Sequence, residues 1–446
     1  MPLINVAKHC DNVAKYLNSP GLIFVKGAEV SIHPDSDTEL RFMQDSNMVY
    51  ISGVLEPGFS FLYDTVTKKS TLLAPFITPD EAVWIGEQPS LAGLKASYGV
   101  DTVVYSDKLE EIISSIAPSK IYTLSYQDCS IIKKFSDLID TEALLSAIHE
   151  ARVFKEPEEV ELMQIANNIS GKVHTDLMNY SWTGKNERNV YSKFVGGILD
   201  GGCEREAYTT IVAAGTHPAT LHYIKNDSKI NSESDLVLVD AGGSYRGYAA
   251  DITRTWPAGK TFTQPAREIY QIVLDMQKAV IENAKPHVLW EDMHLLANKV
   301  AIDGLVKLGI LKGNLKEITD SFVIGYFFPH GLGHFLGIDT HDAGGYPKGV
   351  ERINKPGIRY LRVRRELLEG MVLTVEPGIY FVDGLIKEAK GTPEVAKFVD
   401  FDKVEYYSRI GGVRIEDNIL ITANGNLNLT NVPKEIQDIE AIRCSQ

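Results

Sequence analysis

Cysteine is scarce in this chain, with four residues (Cys10, Cys129, Cys203 and Cys444) spread over 446 positions and no Cys-x-x-Cys pair. That excludes a thiolate zinc framework and a disulfide-stapled fold, and it suits free thiols in a reducing compartment. Long apolar runs are missing too: none reaches the roughly 18 residues of a membrane helix. The opening MPLINVAKHCDNVAKYL lacks the charged-then-apolar pattern of a signal peptide. A cytoplasmic location, with no membrane partner, is the expectation. Positive charge is also short, at 45 Lys and Arg against 59 Asp and Glu, for a net charge of −14. Nothing would neutralise phosphates at scale, so nucleic acid is excluded as a partner.

Histidine numbers only eleven, yet His330, His334 and His341 share the stretch FPHGLGHFLGIDTHDAGGYP from Phe328 to Pro347. The spacing of His330 and His334 would put two imidazoles on one helix face. Gly331 and Gly333 argue against a helix. The stretch reads as an irregular loop or strand in which glycine lets the backbone approach a bound group closely.

The length and an apolar content of 44% predict two domains. In residues 1–148, apolar runs at 21–27, 48–54, 70–76, 101–106 and 120–126 alternate with helical patterns, which predicts an α/β domain. His9, His33 and His149 are isolated there and read as surface or satisfied residues. The second domain, 149–446, mixes long helices with strands. Pro157, with Glu156, Glu158 and Glu159 around it, starts a helix. Val160, Met163, Ala166, Ile169, Val173 and Leu177 make its apolar stripe, and His174 falls off that stripe. Further helices are predicted from Thr263, as a cap, to Ile281, and from Glu291 to Leu308.

Carboxylates on short strands give the histidine stretch its meaning. DLVLVDAGGSYRGYAADITRTW reads as a hairpin; if its turn centres near Tyr245 and Arg246, Asp240 and Asp251 oppose each other. Like charges in that position repel, so a divalent cation is the natural compensation, with a turn-capping role as the alternative. GMVLTVEPGIYF delivers Glu376 at the end of a strand, just before Pro377. In GGVRIEDNILIT, alternation puts Arg414 and Glu416 on one face. Taken singly, each Glu reads as solvated, whereas four carboxylates and one imidazole together make a hard ligand set. Two divalent ions would balance those charges and acidify a shared water, which implies hydrolysis of a carbonyl or phosphoryl bond.

These residues, in this order and with this flanking text, resemble the metal-binding pattern of the pita-bread metallopeptidases: methionine aminopeptidase, aminopeptidase P and prolidase. PHGLGHFLGIDTHDAGGYP and GMVLTVEPGIY are similar to prolidase in particular, and RFMQDSNMVYISGVLEPG resembles the amino-terminal domain that prolidases and aminopeptidases P share. The resemblance implies a two-domain α/β fold: a creatinase-like amino-terminal domain for dimerisation and pocket closure, then an α+β pita-bread catalytic domain. It implies that Asp240, Asp251, His334, Glu376 and Glu416 hold two divalent ions, commonly Mn²⁺, with Co²⁺ or Zn²⁺ as alternatives. Asp251 and Glu416 would bridge the ions, and His334 would bind one. His222 matches a histidine that contacts substrate near the scissile bond, His341 one that stabilises the intermediate or the proline side, and Glu376 the group that shuttles the proton. Arg414 resembles an arginine that orients carboxylates, Tyr208 has a similar supporting role, and His330 supports the loop. His217 has no counterpart.

Arg362 resembles the arginine that binds the free carboxylate of a terminal proline, a task suited to a guanidinium fork. The basic run Arg359, Arg362, Arg364 and Arg365 also reads as a solvated surface. The implied activity is cleavage of Xaa-Pro dipeptides by a homodimeric prolidase. The alternative is an aminopeptidase P acting on longer peptides, and the remote one a catalytically dead binding module of the same fold.

Overall fold

The computed structural model describes residues 4–445. Contacts within the chain divide it between Phe154 and Lys155. In the first unit, strands β1 (Leu22–Lys26), β2 (Ser60–Asp64), β3 (Lys69–Ala74), β4 (Thr102–Tyr105), β5 (Ile121–Tyr122) and β6 (Ile139–Asp140) form one sheet in the order β4-β3-β2-β1-β5-β6. β1 and β2 pair antiparallel, as do β2 and β3, while β3/β4, β1/β5 and β5/β6 are parallel. Leu22, Phe24, Leu62 and Leu73 carry the sheet's core against Leu109 and Ile113 of the helix Leu109–Ile116.

One apolar run is not a strand. The stretch at 48–54 lies mostly in the helix Ser46–Ser52. Asp45 caps it by accepting from the N–H groups of Asn47 and Met48, and Gly53 ends it in the left-handed region at φ 73°. A short apolar run does not distinguish a strand from a buried helix; the caps on either side do.

In the second unit the helix Pro157–Met178 begins as its sequence directs, with Pro157 in the first turn and a capping box between Glu156 and Glu159. Thr263 accepts from Ala266 N–H at the start of Gln264–Asn283, and Trp290–Lys307 follows. His174 is fully buried rather than off the packed face. Its Nε2 donates to the Ala241 carbonyl at 2.9 Å, so the long helix supports the turn that follows Asp240.

Short strands then present the candidate residues: β7 (Arg205–Glu206), β8 (Ile211–Ala214), β9 (Leu236–Asp240), β10 (Gly243–Tyr245), β11 (Tyr248–Ala249), β12 (Thr253–Pro257), β13 (Val372–Val375), β14 (Gly378–Tyr380), β15 (Gly412–Arg414), β16 (Asp417–Thr422) and β17 (Gly425–Asn428). They pair as β8-β9-β12, β7-β10-β11, β13-β16-β17 and β14-β15. All of β9, β12 and β13 is buried; β9 and β13 read as near-continuous apolar runs, whereas β12 buries Thr253, Arg254 and Thr255, whose polar groups are hydrogen-bonded. Among the described residues no helix is long and apolar enough to cross a membrane.

Candidate metal centre

The hairpin that carries the two aspartates turns at Arg246 and Gly247, both in the left-handed region at φ 50° and 87°. Ser244 faces Ala249 and Tyr245 faces Tyr248 on either side of this two-residue turn. The turn is therefore one residue later than Tyr245–Arg246, and every pairing moves by two. Asp240 faces Thr253, not Asp251. Because a shift of two keeps the alternation of a strand, both carboxylates still reach the same side, diagonally rather than directly opposed.

The histidine stretch runs beside β13. Thr374 N–H donates to the His334 carbonyl (2.9 Å), Leu336 N–H to Val372 (3.1 Å) and Glu376 N–H to Leu332 (2.9 Å). A Cβ on Gly333 would lie 2.0 Å from the Thr374 carbonyl oxygen. This glycine permits close approach of the chain to itself, and with Gly331 it also lines the cavity of the site. The loop is thereby locked against the strand that ends at Glu376.

Ligand-capable atoms of Asp251, His334 and Glu416 lie within 4.8 Å of one another, and all three residues are buried. Asp240 and Glu376 border the same cavity of about 610 Å³, together with Tyr208, His222, His330, His341, Arg362 and Arg414. Burial, reinforced by neighbouring carboxylates, pushes Asp251, Glu376 and Glu416 well above the ordinary carboxylate range. His334 sits among them in a telling orientation. Its Nδ1 donates to the Phe335 carbonyl at 2.9 Å, so Nε2 carries a lone pair. That lone pair faces Asp251 Oδ2 at 3.3 Å and Glu376 Oε1 at 3.5 Å. Acceptors set against acceptors in a buried site call for either a shared proton or a metal ion between them, and the donor types present fit divalent ions.

Polar groups around the cluster hold it in place. Arg414 donates from Nη2 to Asp240 Oδ2 (2.7 Å), from Nε to Thr253 Oγ1 (3.1 Å) and from Nη1 to the Tyr380 hydroxyl (2.9 Å). Thr253 in turn donates to Glu416 Oε2 at 2.6 Å. His330 Nδ1 donates to the Gly331 carbonyl (2.8 Å), so its Nε2 accepts from Tyr380 at 2.9 Å. Tyr208 donates to Asp240 Oδ1 at 2.6 Å. Burial drives His330 and His341 down to about 3, so both rings are neutral at physiological pH. The rings of His334 and His341 meet edge to face at 4.4 Å.

Thr253, Tyr380 and Asn418 were not evident in the sequence. Asn418 donates from Nδ2 to the Asp251 carbonyl (2.5 Å) and accepts from the Asp251 N–H (3.0 Å), so its amide replaces a neighbouring strand. Its place two residues after Glu416, on the same strand face, was the available signal.

Of the basic run, Arg359 lies over the Tyr360 ring, Arg364 pairs with Glu291 and Arg365 donates to the Gly344 carbonyl. Arg362 is exposed, lines the cavity and has no carboxylate partner among the described residues. His217 stands apart from the cavity lining, paired with Glu187.

Two α/β units, and in the second a buried cluster of carboxylates and histidine open to a cavity, define the class of divalent-metal hydrolases. A family model described as "Metallopeptidase family M24" matches residues 161–423, and one described as "Aminopeptidase P, N-terminal domain" matches residues 6–123. The chain belongs to metallopeptidase family M24. A probable Xaa-Pro aminopeptidase of Botryotinia fuckeliana is 41% identical over 98% of this chain and 96% of its own length. One of Penicillium rubens is 40% identical, covering 95% and 93%. Among solved structures, an aminopeptidase of Pseudomonas aeruginosa is similar with a TM-score of 0.84 and 28% identity, covering 100% of this chain and 99% of that one.

Proposed function

We propose that this protein removes the amino-terminal residue from peptides whose second residue is proline. The observation that carries the reading is that relatives of about 40% identity, matched over nearly their whole length, are named Xaa-Pro aminopeptidases. This favours the aminopeptidase over the dipeptidase that the histidine stretch resembles. Asp240, Asp251, His334, Glu376 and Glu416 would hold two divalent ions, and the oxygen-rich donor set favours Mn²⁺. Bound there, the ions supply Lewis-acid polarisation and a water acidified towards neutrality.

The chain's own groups do the rest. His222 and His341 line the cavity and would donate to the scissile carbonyl. Glu376, which borders the same cavity, would carry a proton towards the proline nitrogen. Arg414 orients the Asp240 carboxylate through its hydrogen bond to Oδ2.

Rates on an Xaa-Pro dipeptide and an Xaa-Pro-Yaa tripeptide test the proposal. The tripeptide is expected to be cleaved faster and to be indifferent to Arg362→Ala. Cleavage of the dipeptide alone, lost with Arg362→Ala, would instead establish the dipeptidase, for which the unpaired Arg362 in the cavity is the argument.

A further inference from the structure

Glu187 is fully buried in the first turn of the helix Glu187–Asp200, and the chemistry above makes no use of it. Its carboxylate gathers four donors from one segment of chain. Ala214 N–H (2.9 Å) and His217 Nδ1 (2.8 Å) donate to Oε1, while the Tyr223 hydroxyl (2.8 Å) and Ser228 N–H (2.9 Å) donate to Oε2. His217 stacks on Tyr223 with ring centroids 4.4 Å apart, which ties two of those donors to each other. The same segment is anchored a second time by Asn226. Its Oδ1 accepts from Val212 N–H (2.7 Å) and its Nδ2 donates to the Thr210 carbonyl (2.8 Å), so it pairs with the chain along β8.

Between these anchors Leu221, His222 and Ile224 line the cavity. His222 itself is exposed, and no hydrogen bond of its own orients it among the described residues. A ring without partners takes its position from the backbone beneath it, and here that backbone is held by a charge with four hydrogen bonds. We infer that Glu187 is the positioning residue for His222: by binding His217, Tyr223 and Ser228 together, it fixes where His222 meets the substrate. This rests on the reading of His222 as a substrate contact. His217, which has no place in the resemblance, becomes part of the device.

A carboxylate can accept all four bonds, whereas an amide turns an N–H towards donors and leaves part of the set unmatched. A double-mutant cycle is the test, because a merely structural role is additive and a positioning role is not. kcat and KM would be measured on an Xaa-Pro-Yaa tripeptide for wild type, Glu187→Gln, His222→Ala and the double variant, each first shown folded by near-ultraviolet circular dichroism. Glu187→Gln is expected to lower kcat/KM roughly tenfold in the wild-type background and less than about twofold in the His222→Ala background. Equal losses in both backgrounds, or no loss in wild type, would overturn the proposal. If Glu187→Gln does not fold, Tyr223→Phe removes one donor, keeps the stacked ring and carries the same cycle, with the same non-additivity expected at smaller size. A wild-type rate for His222→Ala alone would sink the reading of His222, and the proposal with it.

Discussion

Arg414 Nη2 stands 2.7 Å from Asp240 Oδ2 with both side chains buried, and the same guanidinium reaches Thr253 and Tyr380. Three acceptors at fixed angles need a planar fork, which an ammonium cannot supply. Arg414→Lys and Arg414→Met are therefore both expected to cost about 10- to 100-fold in metal affinity or kcat. Calorimetric titration with Mn²⁺ beside the rate assay checks this. Full function in the lysine variant would mean that charge alone matters there.

Removal of metal should make stability depend on pH with a definite sign. Asp251, Glu376 and Glu416 are pushed above their ordinary range by burial and mutual repulsion. Without a cation the folded chain then holds protons that the unfolded chain has released, so stability falls as pH rises from about 4 through the folded pKa. Chelated protein is expected to lose melting temperature as pH rises above the ordinary carboxylate range at about 4, and Mn²⁺-loaded protein to lose much less. Parallel curves with and without the ion would show that the cluster does not hold it.

Asn418 grips Asp251 by both backbone groups, so its amide sets where that carboxylate stands. In Asn418→Asp the donor to the Asp251 carbonyl is lost and another negative charge enters the site. Metal affinity is expected to fall by about 10- to 100-fold. Unchanged binding in the folded variant would reduce Asn418 to an ordinary core residue.

His294 is buried, stacked on Phe328 at 5.2 Å, and pushed down to about 3 by burial. As pH falls below about 6.5 the unfolded chain takes up this proton first, so stability is full above that pH and declines towards the folded value. His294→Leu should gain on wild type as the solution is acidified, by up to about 1.4 kcal/mol per pH unit. Denaturant titrations at neutral and acid pH measure the difference. An equal gap at both would mean the ring is not buried in its neutral form.

The residues legible in the sequence were those whose chemistry is costly. Glu416 is 2% exposed and His334 2% exposed, and groups of that kind in apolar runs demand a partner, so their presence declares a site. Thr253, Tyr380 and Asn418 were not legible, because a threonine, tyrosine or asparagine on a strand is ordinary until its neighbour is known. The helix Ser46–Ser52 was misread for a related reason, since its apolar run suits a strand equally well.

The chain by itself determined the division into α/β units, the helix starts at Pro157 and Thr263, the ligand types and the family pattern. All of these rest on local caps, on periodicity and on residue chemistry. Only the tertiary structure decided that Asp240 faces Thr253, that Gly333 makes room for Thr374, and that Glu187 gathers the segment carrying His222. Those depend on turn register and on contacts between residues far apart in sequence. One residue of slip in a turn moves every partner by two, and nothing local records it.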